Sequence, residues 1–352
     1  MNEERSTRIV AYWIFLGVIM LVIQTLIGGI TRLTGSGLSI TEWKPIMGIL
    51  PPLKQSEWLV AFEKYKHIAQ FKVLNNHFNL HDFKMIFFWE WFHRVWARLI
   101  GVVFLIPFIY FLIKKYFKQW MITPLVILFL LGALQGAIGW IMVKSGLNNE
   151  NLYVNHLRLA IHLISAMVLI CYALLFGLML RVPQRVRVAD KKLRTFTIII
   201  ISLLSIQLFY GACIAGLKGA GAAPTWPDIN GKMIPTVLWK GNLIDNLFFN
   251  IISIQFIHRT LAYILLVLIL VWWLKARKHN NSRSFNEGKH WPLILVITQV
   301  SLGILALLSS PKIVPGHFGL YEWIAILHQL TGLLLLLSLV ASMYMLRSKR
   351  TF

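Results

Sequence analysis

Eight long apolar runs, at roughly 10–30, 86–113, 122–143, 157–180, 195–216, 248–274, 291–309 and 321–346, constrain this chain more than any other feature. Most reach the ~20 residues that cross ~30 Å of hydrocarbon as a helix, and the seventh, near the lower limit, has little room to tilt. With 57% hydrophobic and 14% charged residues, the chain departs from soluble composition in both directions. The expected fold class is therefore all-α integral membrane, with eight transmembrane helices. The N-terminal MNEERSTRIV leads directly into the first run without a small-residue cleavage site, which predicts an uncleaved first helix.

A formal charge of +22 raises the question of nucleic acid, and the placement of the basic residues answers it. Arg5 and Arg8, Lys114, Lys115 and Lys118, the group from Arg181 to Arg194, the group from Lys275 to Lys289, and Arg347, Lys349 and Arg350 fall at alternate helix ends. That is the positive-inside pattern of a multi-pass protein of a bacterial inner membrane with both termini cytoplasmic. No nucleic-acid module is visible. Cys171 and Cys213 lie far apart within apolar runs, so buried free thiols are expected rather than a disulfide framework.

The chain also repeats itself. Gln24-Thr-Leu-Ile-Gly28 lies over Gln207-Leu-Phe-Tyr-Gly211 at a shift of 183 residues, a register that also pairs Trp43 with Trp226 and Pro52 with Pro235. Glu90-Trp-Phe-His93-Arg94 then matches Gln255-Phe-Ile-His258-Arg259 at a shift of 165, after a shorter second loop. Gln135 and Gly139 match Gln299 and Gly303, and His162 matches His328. Four helices per half bring both halves into the membrane from the same side, a parallel duplication of two pseudo-symmetric four-helix bundles, 1–190 and 191–352.

His93, His162, His258 and His328 stand in the second and fourth helices of each half. Intramembrane histidines need partners for both ring nitrogens and are functional candidates by default. Two imidazoles at matching depth on different helices can grip a metal from opposite faces. Haem iron suits them, because carboxylates and thiolates are almost absent within the apolar runs. His67, His77, His81 and His317 in outer loops, His279 and His290 on the inner side and His156 at an interface read as ordinary polar residues.

One difference between the halves matters as much as the matches. Glu90, one turn before His93, is replaced by Gln255 before His258. A membrane carboxylate with no obvious partner suits proton transfer or stabilisation of a developing positive charge, whereas the structural alternative is a salt bridge to Arg94 or Arg98. Two histidine pairs with one acid predict chemistry in the first half and a permanent electron carrier in the second. The Gly-, Thr- and Ser-rich segment from Gly28 to Pro45 is positioned to fold over the first slot. Arg32 and Arg158 at its mouth are candidates for propionate contacts. Arg94 and Arg259, one residue past their histidines, are expected to point away toward the other half or toward lipid phosphate.

These residues resemble the haem A synthase family over essentially the whole chain: GGITRLTGSGLS with EWKP, the Glu90–Arg94 and Gln255–Arg259 runs, Arg158-Leu-Ala-Ile-His162, and Leu327-His328-Gln. The resemblance implies an oxidoreductase converting the C8 methyl of haem O to the formyl group of haem A for cytochrome oxidase. By it, His93 and His162 flank the substrate haem O, His258 and His328 ligate a haem b cofactor, and Glu90 is the essential acid. It further implies haem O synthase, the farnesyltransferase that supplies haem O, and an electron donor as partners beside membrane lipid, and it is compatible with a homo-oligomer. With no Cys between 31 and 84, the chain looks like the cysteine-free branch of alphaproteobacteria and mitochondria. Two rivals use the same histidines: a di-haem b electron-transfer cytochrome of the quinol oxidoreductase kind, and a repeat-built transporter relaying protons.

Overall fold

The computed structural model describes residues 3–42, 47–280, 282–314 and 316–347. The Trp43–Pro45 part of the EWKP motif, and Lys349 and Arg350, lie outside the described residues. Among the described residues, eight helices are long and apolar enough to cross a membrane: α1 (Glu3–Leu33), α2 (Leu80–Ile113), α3 (Gln119–Lys144), α4 (His156–Arg181), α5 (Lys191–Gly216), α6 (Ile251–Ala276), α7 (Trp291–Ser309) and α8 (Leu320–Met345). Among the described residues strand pairing is limited to one short parallel pairing of Val188–Ala189 with Leu346–Arg347 and an isolated antiparallel bridge between Ile229 and Lys232.

Polar residues cap the starts of several helices. The side-chain oxygens of Asn79, Asn155 and Asn250 accept from backbone N–H groups in the first turns of α2, α4 and α6, and that of Asp190 does so for α5. Glu322 closes the start of α8 by accepting from the Gly319 N–H at 2.8 Å.

α1, α4, α5 and α8 form the centre, where α4 packs on α5 and α8, and α1 on α8. Close approach depends on small residues, as expected where helices meet in lipid. Gly177 lies under Phe15, Gly29 under the Gln329 amide, and Gly216 under the Cα and Cβ of His156. Gln329 donates to the Thr25 carbonyl at 2.8 Å, tying α8 to α1. His156 is buried, and its Nε2 donates to the Phe248 carbonyl at 2.7 Å, so it joins the start of α4 to the segment before α6.

The long segment between α1 and α2 folds into a cap with its own core. Leu38, Phe62, Tyr65 and Ile68 pack on Phe83, Ile86 and Phe87 of α2, with Val143 and Leu147 at the end of α3 and Val154 before α4 against the same cluster. Tyr65 donates from its hydroxyl to Gln70 and accepts from Asn75, and burial pushes its phenol up to about 12.

Pro107 inside α2 removes the N–H that would bond the Val103 carbonyl. The Trp13 indole N–H donates to that carbonyl at 2.9 Å and replaces the lost bond. Water is absent at this depth, so an unpaired carbonyl there is costly. Trp13→Phe should therefore lower stability in detergent by about 1–3 kcal/mol. Combining it with Pro107→Ala should recover part of that loss, because the helix regains its own donor; a thermal-unfolding double-mutant cycle measures the coupling.

Candidate functional site

All four intramembrane histidines are seated in one way. Each packs over a glycine of the preceding membrane helix: His93 over Gly28, His162 over Gly139, His258 over Gly211 and His328 over Gly303. A Cβ at these glycines would lie 2.8–3.2 Å from an imidazole atom, closer than side chains pack. Four residues before each glycine, one turn away, stands a glutamine that bonds the same histidine.

The bonding differs between halves. In the second, the Nδ1–H of His258 donates to the Gln207 carbonyl at 3.2 Å and that of His328 to the Gln299 carbonyl at 3.0 Å. Those bonds fix the tautomer, so each Nε2 carries the lone pair; the Gln207 and Gln299 side-chain amides approach it at 3.4 and 3.3 Å, and a metal ligated there would displace them. Two imidazoles on opposite sides of one metal ion, each at an N–metal distance of about 2.0–2.1 Å, have ring centres about 6 Å apart. The observed separation of His258 and His328 is 6.5 Å. The amide oxygens of Gln207 and Gln299 are buried and find no donor among the described residues. Glycine seats, carbonyl-anchored Nδ1 atoms and this spacing fit a bis-histidine haem.

In the first half the contacts run to the backbone instead. The Gln24 amide donates to the His93 carbonyl at 3.2 Å, and the Gln135 amide to the His162 carbonyl at 3.0 Å. Gln135 also approaches the His162 Nδ1 at 3.2 Å, and its own oxygen accepts from Ser165 at 2.6 Å. Among the described residues, neither ring is anchored to a carbonyl through Nδ1 in the manner of His258 and His328.

Glu90 overturns the expectation of an unpartnered carboxylate. It is 3% exposed and accepts from three donors: the Ser39 hydroxyl at 2.8 Å, the Ile40 N–H at 2.8 Å and the Arg94 guanidinium at 2.6 Å. Arg94 also donates to the Ile40 and Glu42 carbonyls at 3.0 Å. An anion so held is a clamp for the outer segment as well as a charge one turn from His93.

The second half builds the same clamp without the charge. Arg259 bonds the Gln255 amide oxygen and the carbonyls of Ala223, Thr225 and Asp228, while the Gln255 amide donates to the Gly219 carbonyl. Both arginines thus serve their own half's outer segment. They do not turn to the other half or to lipid, because i, i+4 spacing brings each back over the acid or amide one turn earlier.

The candidate propionate contacts are both at helix ends. Arg32 donates to the Ala215 carbonyl at 3.4 Å, and Arg158 to the Ile141 carbonyl at 3.1 Å. Arg158 lines an open cavity of 860 Å³ with Lys144, Asn148, Tyr153, His156 and Gly216, away from the four histidines. Cys171 and Cys213 are free thiols. His279 pairs with Asp190 at 2.9 Å, and His290 accepts from Trp273 at 3.0 Å.

The glutamines and glycines are the site residues that sequence reasoning passed over, since it used them only to align the halves. The available signal was their recurrence within each half: Gln24/Gly28, Gln135/Gly139, Gln207/Gly211 and Gln299/Gly303 share one spacing.

Residues 11–340 match the model of a family described as "Cytochrome oxidase assembly protein". The chain is 39% identical to a protein named "Heme A synthase" from Rhodospirillum centenum, over 99% of this chain and 91% of that one. It is 36% identical to a "Heme A synthase" from Flavobacterium johnsoniae over 97% and 99%, and 40% identical to one from Rhodopseudomonas palustris over 87% and 83%.

The clamp geometry makes an unequal pair of substitutions. Arg94→Ala strands a buried carboxylate and should cost about 3–5 kcal/mol, releasing residues 34–42 to proteolysis and hydrogen exchange. Glu90→Gln reproduces the second half's arrangement and should leave that protection largely intact.

Proposed function

This chain belongs to the cytochrome oxidase assembly family of the haem A synthases, and on that footing we propose that it oxidises the C8 methyl of haem O to the formyl group of haem A. Two successive hydroxylations, each a two-electron oxidation of the methyl carbon that takes its oxygen from water or dioxygen, give a geminal diol, which loses water to the aldehyde. The observation that carries the division of labour is the contrast between the two histidine pairs. His258 and His328 are pinned through Nδ1 and suit a permanent haem b. When bound, that haem supplies one-electron redox chemistry. His93 and His162 are seated on glycines without that anchoring and suit a haem that enters as substrate and leaves as product.

Glu90 is the acid of this site in our reading. Its contacts with Ser39, Ile40 and Arg94 fix it in place, where it can stabilise positive charge that develops near the methyl carbon or move the protons. Gln255 supplies no such acid in the other half. Arg32 and Arg158, which now bond helix-end carbonyls, are the propionate contacts we assign at the same end of the bundle. Following the internal matches, we assign residues 1–190 to substrate and 191–352 to cofactor.

The basic residues cluster at one set of helix ends, which supports a bacterial inner membrane with both termini cytoplasmic. Haem O synthase and a membrane electron donor are the proposed partners. A di-haem electron-transfer cytochrome would need the same four histidines, but the acid in one half alone and the relatives' names favour the enzyme.

Expression in a haem-O-producing bacterium lacking its own haem A synthase, followed by extraction and mass spectrometry of the haems, tests the reading. Haem A or its hydroxymethyl precursor alongside haem b is the expected result; two haem b per chain and no oxidised product would establish the cytochrome instead. In the same host, Glu90→Gln should keep haem b and lower haem A output about 100-fold or more, and unchanged output removes the assigned role. His258→Ala and His328→Ala should lose haem b, whereas His93→Ala should keep it and fail to retain haem O.

A further inference from the structure

The two halves differ most where their outermost helices meet. Among the described residues, α6 and α7 pack along their length, whereas α2 and α3 do not. Only 6% of the apolar window of α2, and of α3, is buried, against 22% for α6 and for α7. The α2/α3 seam is closed at both ends. Toward the basic helix ends Phe104 stacks on Phe129 at 6.1 Å, and at the other end the cap core joins Phe83 and Phe87 of α2 to Val143 of α3. Between these contacts the helices stand apart.

The sequence makes this window. A side chain at Gly101, Gly132 or Gly136 would meet nothing within 4 Å. In the alignment of the halves their counterparts are Leu266, Val296 and Val300. Val296 is 2% exposed, and Leu266 packs against the same core. Gly132 lies seven residues before Gly139, within about 20° of it around the helix. The open stripe therefore runs on the face that seats His162. It starts beside that ring and extends about 10 Å toward the basic ends. Gly101 lies about 12 Å beyond His93 in the same direction on α2.

From this we infer that the α2/α3 window receives the farnesyl-derived tail of the substrate haem. The proposal rests on the reading of His93 and His162 as the substrate pair. The tail is what distinguishes haem O from haem b, and the internal control is the second half, which has the same glycine, glutamine and histidine hardware with Leu266, Val296 and Val300 at the three glycine positions. An apolar window bordered by Phe104, Phe129 and glycine backbone matches an isoprenoid chain, and it gives that chain a path to and from lipid without drawing it past the polar cap. Filling the window should cost tail recognition and spare the iron ligands.

The test is a Soret titration of the detergent-purified protein, its second half loaded with haem b, using haem O and tail-less haem b as added ligands. Wild type should bind haem O more tightly than added haem b at the first site. Gly132→Val with Gly136→Val should cut haem O affinity about tenfold, leaving added haem b and the resident haem b content unchanged. The gentler Gly132→Ala with Gly136→Ala pair, read the same way, should give a smaller loss in the same direction and serves if the valine pair lowers resident haem b through misfolding. An unchanged ratio of haem O to haem b affinity, or a wild type that does not distinguish the two, overturns the tail window while leaving the histidine pair standing. No binding of either haem at the first site in wild type, with resident haem b intact, removes the substrate-pair reading and the window with it.

Discussion

An imidazole surrounded by hydrocarbon has to be seated by its neighbours, and the arrangement of helices follows from how that is done four times over. Each histidine lies against a glycine because only a missing side chain lets the ring approach the neighbouring backbone. Each is bonded by a glutamine one turn from that glycine, and the pair brings adjacent helices into contact at the depth of the rings. Where the bond runs from Nδ1 to a main-chain carbonyl, as at His258 and His328, the other nitrogen carries the lone pair and meets only the long contact of a glutamine amide, which a metal could displace.

The same need for pairing shapes the rest of the membrane interior. Trp13 supplies the donor that Pro107 removed from α2, and the Trp272 indole donates to Thr197 in the core. Glu90 is the most demanding case, and three donors meet it. Its arginine partner also binds the backbone of the outer segment, so charge, clamp and loop are one unit. Gln255 and Arg259 repeat the unit with a neutral amide, which identifies the clamp as common architecture and the charge as the addition.

Much of this was legible in the sequence. The eight spans, the four histidines, the acid present in one half and the internal matches all follow from residue type, order and spacing. Gln24 and Gln207 were visible as alignment markers, but nothing in their spacing says that one would bond a histidine carbonyl through its amide and the other a ring nitrogen through its own carbonyl. Arg94 shows the limit most clearly: read from helical phase alone it points away from His93, and the long side chain then returns to Glu90 and to the loop.

Composition and pattern by themselves determined that the chain spans a membrane as helices and that its four histidines fall in matching sequence contexts, because these depend on apolar length and on residue identity. Tertiary structure decided which carboxylate and amide groups are satisfied, which imidazoles are pinned, and that α6 closes on α7 while α2 stands off α3. Those outcomes depend on distances between helices far apart in sequence, set by single glycines whose effect appears only when a neighbouring helix is beside them.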